Sequence, residues 1–327
     1  MRAILVKEPG TAEELVMRDF PTPEPGSDEL LVRVKATALN RADILQREGR
    51  YSPPQGASPI LGLEMAGIVE QVGPKCSGWH KGDRVCALLP GGGYAQYVTV
   101  PARMAIPVPE NFSFEDAAAI PEVFLTAYQA LFWLGKLKRD EHVLIHAGAS
   151  GVGTAAIQLV RNSGSMAIVT AGSDEKLQFC RDLGASVAIN YRNEEFPEKV
   201  LDTTNGLGVN LILDCVGASY WEKNMESIAV DGRVVLIATM GGAKIDDFDL
   251  LNILRKRIHL LGTTLRARSR EYKIDLTSAF VRNILPGFAD GLYKPVVDSV
   301  YNWTEVRNAH IYMEENKNKG KIVLTVD

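Results

Sequence analysis

A chain of 327 residues, 46% of them hydrophobic, is long enough to bury more than one core, so two domains are expected. Its formal net charge of −4 offers no general basic surface, which makes nucleic acid and anionic membranes poor partners and favours a small molecule. Cys76, Cys86, Cys180 and Cys215 stand in no metal-knuckle or disulfide spacing and read as reduced thiols of a cytoplasmic protein.

Met1 to Val6 is a short apolar run ending at Lys7-Glu8-Pro9-Gly10, which reads as a strand and turn, not as the core of an export signal. No stretch of about 18 apolar residues occurs, so no membrane span is expected. Residues 1–120 are rich in Pro and Gly, with short β-branched runs such as Leu30 to Val34 and Gly67 to Val72, the pattern of a mainly β domain. Gly91-Gly92-Gly93 has no helix behind it and reads as a structural turn.

From Glu141 short apolar strands alternate with helices. Strands are expected at 142–147, 167–171, 186–190, 209–214, 233–239 and 258–264, and helices near 151–163, 174–183, 194–204, 219–229 and 249–256. This is the pattern of an α/β fold with a doubly wound, six-stranded parallel sheet of Rossmann type, assigned to residues 121–265. A helix near 270–285, a turn at Pro286-Gly287 and a last strand from Lys321 to Thr325 then return 266–327 to the first domain.

The strand ending in His146-Ala147 runs straight into Gly148-Ala149-Ser150-Gly151-Val152-Gly153 and a helical stretch beginning at Thr154. Strand, glycine turn and helix in that order let a pyrophosphate approach free amides at the positive end of a helix dipole. Ser150 replaces the second glycine of the usual fingerprint, and the βαβ context supports a dinucleotide nonetheless. At the end of the second strand, where NAD-preferring folds carry an acid, the chain has Gly172-Ser173. The gap predicts NADPH, with Ser173, Lys176 and Arg192 as donors to a 2′-phosphate. Ser173-Asp174-Glu175-Lys176 also reads as an ordinary capped helix start. Met240-Gly241 after the fifth strand and Thr264-Leu265 after the sixth lie at carboxyl ends of parallel strands, where such folds bind the nicotinamide.

Five segments carry a resemblance: Asn40-Arg41-Ala42-Asp43, Leu61 to Gly67, Pro90 to Val98, Ile145 to Gly153 and Leu213 to Trp221. In order and spacing they resemble the quinone oxidoreductase branch of the medium-chain dehydrogenases/reductases along the whole chain. The resemblance implies a GroES-like catalytic domain beside the Rossmann domain. Zinc-dependent members carry Cys, His and Cys as catalytic ligands where this chain has Asn40, Leu63 and Glu122, a set unsuited to zinc. The implied activity is zinc-independent transfer of hydride from NADPH to quinones, ortho-quinones included, with an enone or alkenal reductase and a catalytically idle cofactor-bound protein as alternatives.

The resemblance also implies roles. Asn40 reaches the nicotinamide ribose or substrate, Tyr51 offers its phenol to a quinone oxygen, Thr126 stands beside the nicotinamide, Tyr191 holds the adenine and Asn318 reaches the cofactor from the tail. Tyr51 and Tyr191 read equally well as packing residues. The apolar edge strand 258–264 needs a cover, and in the family that cover is the same strand of a second subunit, which implies a homodimer.

Overall fold

The computed structural model describes residues 1–246 and 248–327. It divides into two compact units, residues 1–125 with 265–327, and residues 126–264.

In chain order the first unit begins with β1 (Arg2–Val6), β2 (Leu15–Asp19), β3 (Glu29–Ala38), α1 (Arg41–Arg47), β4 (Glu64–Val72), β5 (Arg84–Leu88), β6 (Tyr97–Pro101), β7 (Ala105–Pro107), α2 (Phe114–Ala118) and α3 (Pro121–Tyr128), the last crossing the unit boundary. The second unit holds β8 (His142–Ile145), α4 (Gly151–Asn162), β9 (Met166–Ala171), α5 (Asp174–Leu183), β10 (Val187–Asn190), α6 (Phe196–Thr203), β11 (Val209–Asp214), α7 (Trp221–Ser227), β12 (Ile228–Leu236), α8 (Leu250–Lys256) and β13 (His259–Gly262). The chain closes the first unit with α9 (Arg270–Asn283), α10 (Pro286–Ala289), β14 (Val297–Asn302), α11 (Val306–Glu314) and β15 (Lys321–Thr325).

The sheet of the first unit runs β14-β15-β3-β4-β5-β7, with β6 also paired to β3. β3 holds this sheet together because its inward Val32 and Val34 are buried while Arg33 and Lys35 remain partly exposed, the alternation that one solvated face demands. The last strand, β15, pairs with β3 antiparallel, Leu324 opposite Thr37. In the second unit the sheet is parallel throughout, ordered β10-β9-β8-β11-β12-β13. The order reverses at β8, so the carboxyl ends of β8 and β11 flank a switch point. β8 is buried from Val143 to Ile145, as a central strand covered on both faces must be.

Three expectations need correction. The fifth strand begins at Ile228 rather than 233, because it continues through a kink at Asp231 (φ 60°) and still pairs Ile228 with Val209. The sixth is only His259–Gly262: Ile258 N bonds back to Ile253 O and closes α8. Pro286-Gly287 opens the short helix α10 instead of a turn, a position where the fixed φ of proline is favourable. No helix is long and apolar enough to cross a membrane among the described residues.

A buried polar knot in the first unit makes its stability depend on pH. His310 is fully buried, its Nδ1 3.3 Å from Arg47 Nη1 and its Nε2 3.2 Å from the Tyr94 hydroxyl. Arginine can only donate, so Nδ1 accepts and Nε2 carries the proton. Burial, then the Arg47 charge, pushes the imidazole down to about 3. The unfolded chain therefore binds a proton that the folded chain refuses, and the stability this group gives above its ordinary value near 6.5 is lost as pH falls toward 3. Asp43 acts in the opposite sense, because burial raises it to about 6 and its contribution is lost as pH rises from 3.8 through that value. Between pH 4 and 6 the two largely cancel. In His310→Gln the cancellation is removed, so the variant should gain about 3 kcal/mol on wild type between pH 7 and pH 4. Chemical denaturation at the two pH values measures this, and parallel stability curves would contradict it.

Candidate functional site

Within the second unit, Ala147 takes a left-handed turn (φ 53°) at the end of β8, and Gly148 N donates to Thr170 O of the neighbouring strand at 2.9 Å. This turns the chain sharply into α4. Ser150 caps the helix, its Oγ accepting from Gly153 N at 3.1 Å, while Thr154 N donates to Ser150 O. The amides of Gly151 and Val152, at the first two helical positions, have no residue one turn earlier in the helix to bond and could receive an anion. A Cβ on Gly153 would lie 2.4 Å from Ala147 O, so only glycine lets the helix start this close to the strand.

At the adjoining corner, Gly172, Ser173 and Lys176 follow the end of β9, and Tyr191 and Arg192 follow the end of β10 paired with it. A Cβ on Gly172 would lie 2.7 Å from the Tyr191 hydroxyl, so this glycine makes room for the tyrosine. Tyr191 is 41% exposed and sits edge-on to Tyr220 at 6.1 Å between ring centroids. Ser173 is the N-cap of α5, its Oγ accepting from Lys176 N at 3.4 Å. The helix-start reading of this segment is thus realised, with Asp174 tied by Asn190 Nδ2. Beyond β12, Met240 N and Gly241 N donate to Cys215 O and Val216 O, joining this loop to the one after β11. Met240 itself is exposed.

Beneath these loops lies a network that the sequence did not reveal. Asp214 accepts from Val216 N, Gly217 N and Asn224 Nδ2, and Asn224 Oδ1 lies 2.7 Å from His146 Nε2. His146 Nδ1 reaches Thr170 Oγ1 at 3.1 Å. Burial lowers the His146 pKa, so the ring is a neutral strut between the ends of β8, β9 and β11.

The first unit holds a second cluster. Lys321 Nζ donates to Leu39 O (2.6 Å), Asn40 Oδ1 (2.6 Å) and Glu64 Oε1 (2.7 Å), so all three of its protons are used. Asn40 Nδ2 donates to Ala38 O and to Glu64 Oε1, and Glu64 Oε2 accepts from Glu122 N. Asp43 accepts from Asn40 N and Gly62 N. Asn40 is 7% exposed, and both hydrogens of its amide are committed inside this cluster. The oxygens of Asn40 and Glu64 are bound by an ammonium, and Leu63 beside them is buried and apolar. Such a donor set does not suit a zinc ion.

Tyr51 is half-buried, its ring 5.3 Å from the guanidinium carbon of Arg266, and Leu265 is buried beside it in sequence. Asn318 uses its amide on Gly320 O at 2.7 Å, closing the turn before β15. Thr126 lies inside α3, 9% exposed, in the second unit. Lys321 and Arg266 were not singled out from the sequence. A lysine opening the apolar run Lys321-Ile322-Val323-Leu324 was the available signal for the first.

The α4 terminus suits a dinucleotide, with open amides, a helix dipole and glycine where a side chain would clash. Comparisons with known proteins agree. The family described as zinc-binding dehydrogenase matches residues 151–280, and the alcohol dehydrogenase GroES-like domain matches residues 26–110. The quinone oxidoreductase of Rattus norvegicus is 30% identical over 327 residues, covering 99% of this chain and 97% of its own length. A mycocerosic acid synthase-like polyketide synthase of Mycobacterium tuberculosis is 31% identical over 329 residues, and there the chain spans only 15% of the relative's length. Among solved structures, a Pseudomonas syringae quinone oxidoreductase superposes with a TM-score of 0.89 at 29% identity, covering 99% of both chains. A mycobacterial protein complexed with NADPH gives 0.88 at 30%, covering 100% of both chains. The CurK enoyl reductase gives 0.88 at 28%, covering 100% of this chain and 99% of its own. The chain therefore belongs to the medium-chain dehydrogenase/reductase superfamily and, within it, to the quinone oxidoreductase branch.

Proposed function

We propose that this protein is a zinc-independent, NADPH-dependent quinone oxidoreductase. The observation that carries the reading is the commitment of the Asn40 oxygen, at one of the places where zinc-dependent relatives carry a metal ligand, to the Lys321 ammonium that also binds Glu64. Without that polarisation the enzyme needs substrates that are already electrophilic. Bound NADPH supplies the hydride. Gly148, Ser150, Gly151, Val152 and Gly153 hold its pyrophosphate, Tyr191 its adenine, and Met240, Gly241 and Leu265 border its nicotinamide by backbone contacts. Gly172 seats the Tyr191 ring at this corner, and Ser173, Lys176 and Arg192 receive the 2′-phosphate. On the substrate side Tyr51 donates to an oxygen as negative charge grows on it, Thr126 fixes the reacting groups, Asn40 acts through the cluster it holds with Glu64 and Lys321, and Asn318 steadies the tail near the cofactor.

Oxidation of NADPH by a panel of ortho- and para-quinones, beside 2-alkenals, tests the assignment. Quinones should turn over, a zinc chelator should leave the rate unchanged, and Lys176→Ala should raise KM for NADPH but not for NADH. Faster turnover of 2-alkenals would favour the second reading, an enone reductase, which the likeness to the CurK enoyl reductase supports.

We also propose a homodimer through β13. β15 pairs with β3, so the chain's own tail does not cover that edge, and Leu260 is 46% exposed there. Leu261→Lys would place a charge in the paired edge and should convert dimers to monomers in light scattering. A wild-type monomer at micromolar concentration would refute the dimer.

A further inference from the structure

Arg266 is 6% exposed. Its Nε donates to Pro90 O at 2.8 Å and its Nη2 to Gln46 Oε1 at 2.7 Å, but its buried Nη1 finds no acceptor among the described residues. No carboxylate pairs with it at ion-pair distance among those residues, and burial lowers its pKa against the weaker fields of Tyr51 and Asp43. A buried guanidinium of this kind is anomalous. Its other two nitrogens are fixed by neutral oxygens, which hold the fork rigid without neutralising it, and an unmade hydrogen bond to a charged donor is among the costlier omissions in a protein interior. Its aromatic partner among the described residues is Tyr51, whose ring centroid lies 5.3 Å from the guanidinium carbon. Tyr51 is half-buried on a loop bounded by Gly49 and Gly56, both at positive φ, with Ser52 and Gln55 exposed, so the ring covers the arginine from a surface loop. Lys273 Nζ donates to the Arg266 carbonyl at 3.3 Å and adds positive charge to the neighbourhood.

We propose that Arg266 is a substrate anchor in the first unit: its unpaired Nη1 receives an anionic or strongly electron-rich oxygen carried on an aromatic ring, and that ring packs against Tyr51. The arginine fork supplies direction as well as charge, which a lysine would not. The identity of the natural ligand rests on the quinone reading, since a quinone oxygen gains negative charge as it is reduced and would bind Nη1 more tightly as it does so. The anchor itself does not rest on that reading.

A pair of probes separates the two. 2-Naphthoate and 2-naphthamide share a ring system and differ in charge, and their binding to the full chain can be measured by titration calorimetry. Wild-type protein should bind the carboxylate about tenfold more tightly or better, the range for a hydrogen bond to a charged group. Arg266→Met should erase the preference and Arg266→Lys should keep part of it, with thermal melting confirming that both fold. Equal affinity of wild type for the two probes overturns the proposal without any variant. A preference that survives in Arg266→Met overturns it as well. In parallel, Arg266→Met should raise KM for 1,2-naphthoquinone by about tenfold. An Arg266-dependent preference for naphthoate in a protein that oxidises no NADPH with any quinone would support the anchor and overturn the quinone reading.

Discussion

Gly151→Asp should weaken NADPH binding by about 100-fold or more while leaving the melting temperature within about 2 °C of wild type. The two halves of this expectation come from the same position. Gly151 is the first residue of α4, where an aspartate favours the helix through its dipole, so the fold has no reason to fail. The same carboxylate would occupy the ground in front of the Gly151 and Val152 amides, where it satisfies the helix end and repels a pyrophosphate. Gly153→Val is the contrasting change. Its Cβ would collide with Ala147 O and Gly148 O, backbone atoms that cannot rotate away, so it should lose about 1–3 kcal/mol of stability as well as the cofactor. Fluorescence titration with NADPH beside thermal melting distinguishes the two, and undiminished affinity in a folded Gly151→Asp would remove α4 from the cofactor site.

Lys321→Met should destabilise the protein by about 3–5 kcal/mol, the cost of leaving one charge of a buried pair without its partner. The Lys321 and Glu64 side chains are 3% and 0% exposed, and the methionine fills most of the space without the ammonium. Adding Glu64→Gln to Lys321→Met should recover part of the loss, because the unpaired carboxylate is then gone. If Lys321→Met unfolds within about 1 kcal/mol of wild type, the pair is not the electrostatic centre of the first unit.

The sequence made the second unit almost fully legible because its strands are buried on both faces and read as continuous apolar runs, and because Ala147 to Gly153 encodes a glycine turn from strand to helix. Strand ends were less legible where local patterns compete. Asp231-Gly232 reads as the turn before a strand, yet the strand passes through it, since its pairing with Val209 is settled by a neighbour far along the chain. The first unit was legible as β and not as a polar architecture. Asn40 was visible as a candidate, but its commitment to Glu64 and Lys321 depends on β15 lying beside β3, which no local window contains. Arg266 sits in Leu265-Arg266-Ala267-Arg268, a stretch that looks like an ordinary solvated loop, and only tertiary burial distinguishes it from Arg268.

The placement of β15 also fixes an order of events during synthesis. Residues 126–264 are one unbroken stretch that can close its own sheet as soon as it clears the ribosome. The first 125 residues emerge earlier but cannot finish, because the strand that joins β3 to β14, and the lysine that neutralises Glu64, arrive only with Lys321 to Thr325. Until then the nascent chain carries an open edge on β3 and an unpaired carboxylate beneath it, the two features that a trigger-type chaperone or a quality-control protease would read. A stop codon placed just before Lys321 should therefore yield a protein with an ordered cofactor unit and an unfinished partner, captured by chaperones in proportion to the unpaired edge it exposes.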